Sequence, residues 1–240
     1  MRSQNGALIV SILAGLADAG DKKCRALVNG GGGSNGAWEA GVVWGLTHYG
    51  DPTDYYWDVH TGVSAGSIMT LGQIGFLPSE TVKASEYASE QAASLTNEMI
   101  YDNWVGTGVT GWVRSCLTHI SCWNTDAMLQ WLTDSLAEFS QVKRRFTISA
   151  VDVNTGDFVV FNQTNTAFED LPLAGMSSSS IPGAFQPRKY KDYLLMDGGT
   201  VEDVNAYSAI TQCLEIVDDP ADIIVDVTIC SPHTGPRPED

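Results

Sequence analysis

Basic residues are scarce in this chain: 13 Lys and Arg stand against 29 Asp and Glu, a formal net charge of −16. Nucleic-acid backbones are gripped by clustered Lys and Arg, so this composition excludes nucleic acid as a partner and disfavours adsorption onto anionic membranes. Long apolar runs are lacking as well. The apolar stretch at residues 7–16, ALIVSILAGL, falls far short of the ~20 residues a spanning helix needs, so no transmembrane span is expected in the mature chain. Histidine occurs four times, and the five cysteines show no C-x-x-C spacing. That leaves no pattern for zinc, and neither a metal nor a cofactor is expected. An odd cysteine count in a chain of this size does not describe a disulfide framework. Cys116 and Cys122 lie close enough to pair across a short loop in a secreted chain, or equally to act as small buried hydrophobes.

What is present is enough for one core: 240 residues, 43% hydrophobic, 24 of them glycine, with no internal repeat. Met1 and Arg2, the apolar stretch and then Ala17-Asp18-Ala19 follow the n-region, h-region and A-x-A order of a signal peptide, so residues 1–19 are read as one. This places the protein in the secretory pathway, secreted or lumenal, with a single domain over residues 20–230. Asn162-Gln163-Thr164 is a glycosylation sequon in keeping with that route. Pro232, Pro236 and Pro238 mark residues 231–240 as a loose tail.

Two glycine-rich turns carry the chemistry. Gly62-Val63-Ser64-Ala65-Gly66 has the G-x-S-x-G form in which a serine sits at a sharp strand-to-helix bend, with Gly62 and Gly66 admitting the neighbouring backbone. About thirty residues earlier, Gly30-Gly31-Gly32-Gly33 can aim backbone N–H groups at the oxyanion that forms when such a serine attacks an ester. A serine hydroxyl needs a positioned base. Asp197 follows the apolar Tyr193-Leu194-Leu195-Met196 and precedes Gly198-Gly199, a strand end in a tight turn that would fix and partly desolvate the carboxylate.

The surrounding pattern alternates strand, glycine turn and helix. Arg25–Val28 reads as a strand into the glycine loop, and a helix follows from Ala37, with Trp38, Val42 and Leu46 at four-residue steps. A second strand is expected over Tyr55–His60, with a helix beginning at Ser67. Ser79–Ala93 reads as an exposed helix, and residues 106–123, rich in Gly, Thr, Ser and Trp, as a loop or lid whose aromatics could line an acyl-chain site. Phe146–Val151 and Asp157–Phe161 flank a hairpin turn, and Ile223–Ile229 is a last buried strand. This order predicts an α/β fold of three layers around a mainly parallel sheet, whose strand ends collect the functional loops.

Taken together, Gly31-Gly32-Gly33-Ser34-Asn35-Gly36, the Ser64 elbow, Asp197-Gly198-Gly199 and the stretch Ser178–Pro187 resemble the patatin-like phospholipases, a family of lipid acyl hydrolases, from about Arg25 to Thr228. The resemblance implies a patatin-like catalytic domain and a Ser64–Asp197 dyad. Ser64 would be the nucleophile that forms an acyl-enzyme, and Gly31, Gly32 and Gly33 the oxyanion donors. Gly36, Gly62, Gly66, Gly198 and Gly199 would support the motifs, and no metal is required. The implied partner is an acyl lipid, met at a transient lipid-surface contact. Gly30 and Asn35 stand where members often carry Asp and Arg. An amide lacks the charge of Arg, which leaves phospholipid, galactolipid and neutral acylglycerol all open.

Three other readings compete. An α/β-hydrolase triad would take Ser64, Asp197 and His233 in that fold's chain order. A storage or lipid-binding protein would keep the fold without turnover. A dinucleotide site would use Gly31-x-Gly33-x-x-Gly36 and an acidic residue about twenty positions on, among Asp51, Asp54 and Asp58.

Overall fold

A computed structural model of the protein describes residues 22–230. The signal segment expected at 1–19 and the tail at 231–240, with His233, lie outside the described residues. In chain order the first half forms β1 (Cys24–Asn29), α1 (Gly36–Tyr49), β2 (Val59–Val63), α2 (Ala65–Leu71), α3 (Thr81–Ser94), α4 (Asn97–Ile100), α5 (Gly108–Thr118) and α6 (Asp126–Leu136). The second half adds β3 (Arg145–Asp152), β4 (Phe158–Asn162), α7 (Leu171–Ser178), β5 (Arg188–Tyr190), β6 (Tyr193–Asp197), α8 (Ala206–Cys213) and β7 (Ile223–Thr228).

The strands make one mixed sheet in the order β5-β6-β3-β2-β1-β7, with β4 also paired to β3. β7, β1, β2 and β3 run parallel, while β4 and β6 pair antiparallel with β3, and β5 antiparallel with β6. β1, β2 and β3 are buried nearly throughout, as apolar runs covered on both faces must be. Alternation along β1 sorts its side chains. Ala26 and Val28 join Val59, Ala209 and Cys213 under α8, whereas Leu27 points the other way, to Val43 of α1 and the fully buried Trp57. On that second face Leu71, Leu132, Phe146, Ile148, Leu171 and Met176 tie α2, α6 and α7 to β3. Each such fully buried side chain contributes roughly 1.5–3 kcal/mol. The expected α/β architecture is therefore present, with helices on both faces of the sheet.

Three local expectations need correction. β2 starts at Val59, not Tyr55, because the preceding acidic turn is tied to the head of β1: Asp58 accepts from the Arg25 N–H at 3.2 Å, and Asp54 pairs with its guanidinium at 3.2 Å. The inward face of α1 is Gly36, Glu39, Ala40, Val43 and Thr47, with Trp38 exposed, because small residues let the helix approach α2 and α3 closely. The α3 helix is not merely exposed; Ala84, Ser85 and Ala88 are buried in its packing. Finally, residues 106–123 are not all loop but contain α5. Cys116 pairs with Cys122, and an unforeseen second disulfide joins Cys24 of β1 to Cys213 of α8.

Candidate active site

One strand sets the distance between the two proposed catalytic residues. β2 pairs with β3 up to Val63 opposite Ser149, and β6 pairs with the next stretch of β3, Asp197 opposite Ala150. The ends of β2 and β6 thus meet at consecutive residues of a shared neighbour. Ser64 and Asp197, 133 positions apart in sequence, come together there, and the Ser64 hydroxyl donates to Asp197 Oδ2 at 2.7 Å.

Ser64 adopts φ 53° and ψ −124°, a backbone conformation that costs a non-glycine residue on the order of 1–3 kcal/mol. Serines around it hold it there. Its N–H donates to Ser178 Oγ at 2.9 Å, and Ser178 in turn donates to the Ser149 carbonyl at 2.6 Å. The Ser64 carbonyl accepts from Ser67 Oγ at 2.6 Å and from Ser179 Oγ at 3.0 Å. The two motif glycines are needed for space: a Cβ on Gly66 would strike the carbonyls of Asn29 and Gly30, and one on Gly62 would strike that of Gly66. The buried serines of the 177–180 run were not assigned roles from sequence. Four consecutive serines closing a helix were the visible signal.

Asp197 is buried, and its second oxygen, Oδ1, accepts from the Gly199 N–H at 2.8 Å. Burial raises its carboxyl above the ordinary carboxylate value, the hydrogen bonds from Ser64 and Gly199 draw it back down, and the nearby Asp203 charge adds a small push upward. Gly198 fits only without a side chain, since a Cβ would meet the Ser149 carbonyl and the Val63 side chain.

The glycine loop departs from expectation at one residue. The Gly31 N–H is donated to the Asp203 carbonyl at 3.1 Å, so it is not available to an oxyanion. Gly31 serves instead as a spacer, because a Cβ there would press on Asp203 and come within 3.2 Å of Ser64 Cβ. The Gly32 and Gly33 N–H groups have no acceptor among the described residues, and neither does that of Ala65, which opens α2 beside Ser64 and was not singled out from sequence. Gly36 brings the first turn of α1 against Ala65, where a Cβ would lie 3.1 Å from the alanine's own. Asn35 turns out of the site and donates to the Cys230 carbonyl at 2.9 Å, so it clasps the segment after β7.

Beneath the loop lies a buried carboxyl that sequence reasoning missed. Glu39 of α1 accepts from Thr228 Oγ1, while its Oε2 has no partner among the described residues. Burial pushes its pKa up to about 8, with the Asp203 charge adding to the rise and the Thr228 hydrogen bond opposing it. The neighbouring free thiol of Cys230 is pushed up to about 12, chiefly by burial.

From Ser64 a cavity of about 560 Å³ runs between α2, α3 and α6, within the range of ligand sites. Gly33, Ala65, Ile181 and Phe185 line it near Ser64, and Leu71, Ala88, Leu132 and Leu136 line it further in, with Trp131 and Ile100 along its wall. An ester held at Ser64 could extend an acyl chain into this apolar space.

The described histidines are elsewhere. His60 is buried against Arg144 at 2.6 Å, its pKa held low by burial and by that cation, His48 bonds Glu86 at 3.1 Å, and His119 stacks on Trp104. None of the three touches Ser64 or Asp197. The acidic residues required by a dinucleotide site lie at the wrong end of the sheet: Asp58 precedes β2, a full strand length from the glycine loop at the other end of its parallel neighbour β1.

A family model described as patatin-like phospholipase matches residues 27–210, which include the glycine loop, Ser64 and Asp197. Comparison with curated protein sequences returns no match. Among solved structures, the crystal structure of VipD from Legionella pneumophila is similar over 77% of this chain and 47% of that one, with 10% identity and a TM-score of 0.42. The chain thus spans about half the length of that protein.

Proposed function

Because the chain belongs to the patatin-like phospholipase family, we propose that it is a lipid acyl hydrolase that cleaves carboxylic esters of phospholipids or other acylglycerolipids through Ser64 and Asp197. The observation that carries this reading is the 2.7 Å hydrogen bond between the Ser64 hydroxyl and Asp197 at the mouth of an apolar cavity.

Asp197 Oδ2 takes the Ser64 proton as Oγ attacks the ester carbonyl. The carbonyl π electrons move onto oxygen, and the Gly32, Gly33 and Ala65 N–H groups hold the charge, each donor contributing about 10²–10³ in rate. Asp197 then passes its proton to the departing alcohol, leaving an acyl-Ser64 ester. Water loses a proton to the same carboxylate as it attacks that ester, and the fatty acid leaves as Ser64 is reprotonated. Raised basicity from burial suits Asp197 to both halves, and the Gly199 N–H keeps its other oxygen oriented. No histidine among the described residues takes part. The N-terminal segment and the pairing of four cysteines fit a secretory route, where disulfides persist.

A fluorophosphonate probe should label the native protein, fail on Ser64→Ala, and react far more slowly with Asp197→Asn. Lipid profiling by mass spectrometry should then show free fatty acid released by the native protein alone. An unlabelled native protein would point to storage or lipid binding. Loss of activity in His233→Ala comparable with that in Ser64→Ala would point to the triad.

A further inference from the structure

The α5 helix is built inside out. Its buried positions are Gly111 and Ser115, the latter accepting from the Val105 N–H, while large apolar side chains face solvent. Leu117 is 80% exposed, Val109 76%, Ile120 just past the helix 69%, Val113 43% and Trp112 39%. At 100° per residue the four within the helix, Val109, Trp112, Val113 and Leu117, fall in one sector, separate from the polar sector of Thr110, Arg114 and Thr118 and from the buried glycine and serine. No helix that merely closed the fold would place its side chains this way, because burying the small face contributes little and exposing the large one forfeits the hydrophobic gain.

Two further observations select an occupant for this face. It is continuous with the cavity: Trp112 lies 6.3 Å from Trp123, Trp123 lies 4.8 Å from Tyr101, and Tyr101 lies 6.3 Å from Phe185, the last two lining the cavity that also reaches Ser64. It is also cleared of negative charge. In a chain with net charge −16, no carboxylate occurs between Asp102 and Asp126, a stretch that includes Arg114. The segment is held in place by the Cys116–Cys122 bridge and by two backbone hydrogen bonds, Cys122 N–H to Gly183 and Trp123 N–H to Ala184, at 3.0 and 2.9 Å. It is thus fixed to the rim of the site.

We propose that α5 is the lipid-docking element of the molecule. Its apolar sector lies in the headgroup boundary of an uncharged lipid surface, and the aromatic chain from Trp112 to Phe185 leads a lipid from that surface to Ser64. The docking site is a property of the surface alone, while its service to catalysis rests on the hydrolase reading above.

The test uses phosphatidylcholine vesicles and the full chain. Ser64→Ala should float with the vesicles as the native protein does. The double variant Val109→Asp/Leu117→Asp should lose at least about tenfold in the vesicle-bound fraction, since two inserted apolar side chains are replaced by charges. Its hydrolysis of a soluble short-chain ester should stay within about twofold of native, which also reports a folded site. Brominated phosphatidylcholine should quench the native fluorescence, and Trp112→Phe should remove part of that quenching, a readout that needs no disruptive variant. Equal flotation of the double variant and the native protein would overturn the proposal. So would a native dimer that the double variant converts to monomer without change in flotation, for α5 would then be a contact between copies. Normal flotation with no labelling of Ser64 would sink the hydrolase reading and leave the docking surface standing.

Discussion

Ser64 and Asp197, both buried, share one proton across 2.7 Å, so the pH at which the carboxylate takes up a proton of its own sets where the proposed chemistry stops. With burial raising Asp197, the acidic limb of kcat/KM should lie above the ordinary aspartate value of 3.8. Asp197→Asn should abolish turnover yet melt no lower than the native protein at neutral pH, because the amide avoids the desolvation that the carboxylate suffers. Glu39 gives a second, non-catalytic signature. Its folded pKa of about 8 lies above the ordinary 4.5. Below 4.5 both folded and unfolded chains hold the proton, and above 8 neither does. In between, the unfolded chain releases it first, so stability from this group is full below 4.5 and falls as pH rises to 8. Glu39→Gln should flatten that fall. In thermal melts across this window the variant should match the native protein at the acidic end and exceed it at the alkaline end, by on the order of a few kcal/mol.

At the scale of elements, what could be read in the sequence follows from how local the cause is. The β1, α1 start and α2 segments were legible because glycine turns and apolar runs are local signals, and Ser64 and Asp197 both stand out from their own few neighbours. The buried face of α1 was not read: the four-residue steps of Trp38, Val42 and Leu46 mark a helix, but the fit of Gly36 against Ala65 decides which side turns inward, and that contact is tertiary. The α5 helix was hidden because Gly and Thr weaken a helical pattern and its apolar residues face outward, where they look like loop composition. The engagement of Gly31 by Asp203 could not be read at all, since the two are brought together only by the sheet. Nor could the Cys24–Cys213 bridge, which spans 189 positions to fasten α8 to the first strand. Replacing both cysteines with alanine should cost about 2–4 kcal/mol, read from denaturant midpoints, while fluorophosphonate labelling of the folded fraction is unchanged because the bridge lies on the opposite face from the cavity.

For the molecule as a whole, the cavity between the helices sets the length of acyl chain that the proposed hydrolase takes. The α2 helix leads away from Ser64 at 1.5 Å per residue, which puts Gly72 and the adjacent Ala88 of α3 on the order of 10 Å inward. Ala88→Phe should fill this inner part. Fatty acids released from a mixed lipid extract should become shorter, with labelling by a small fluorophosphonate retained. The order of the sheet has another outcome, for the making of the protein. β1 lies between β2 and β7, and the glycine loop at its end is fastened by Thr228 to Gly30 and by the Cys230 carbonyl to Asn35. Synthesis runs from the amino end, and Thr228 is added 200 positions after Val28. A growing chain can therefore form the Ser64 turn early, but the glycine loop beside it is braced only when β7 emerges. On the hydrolase reading proposed above, ester cleavage waits until β7 has been made.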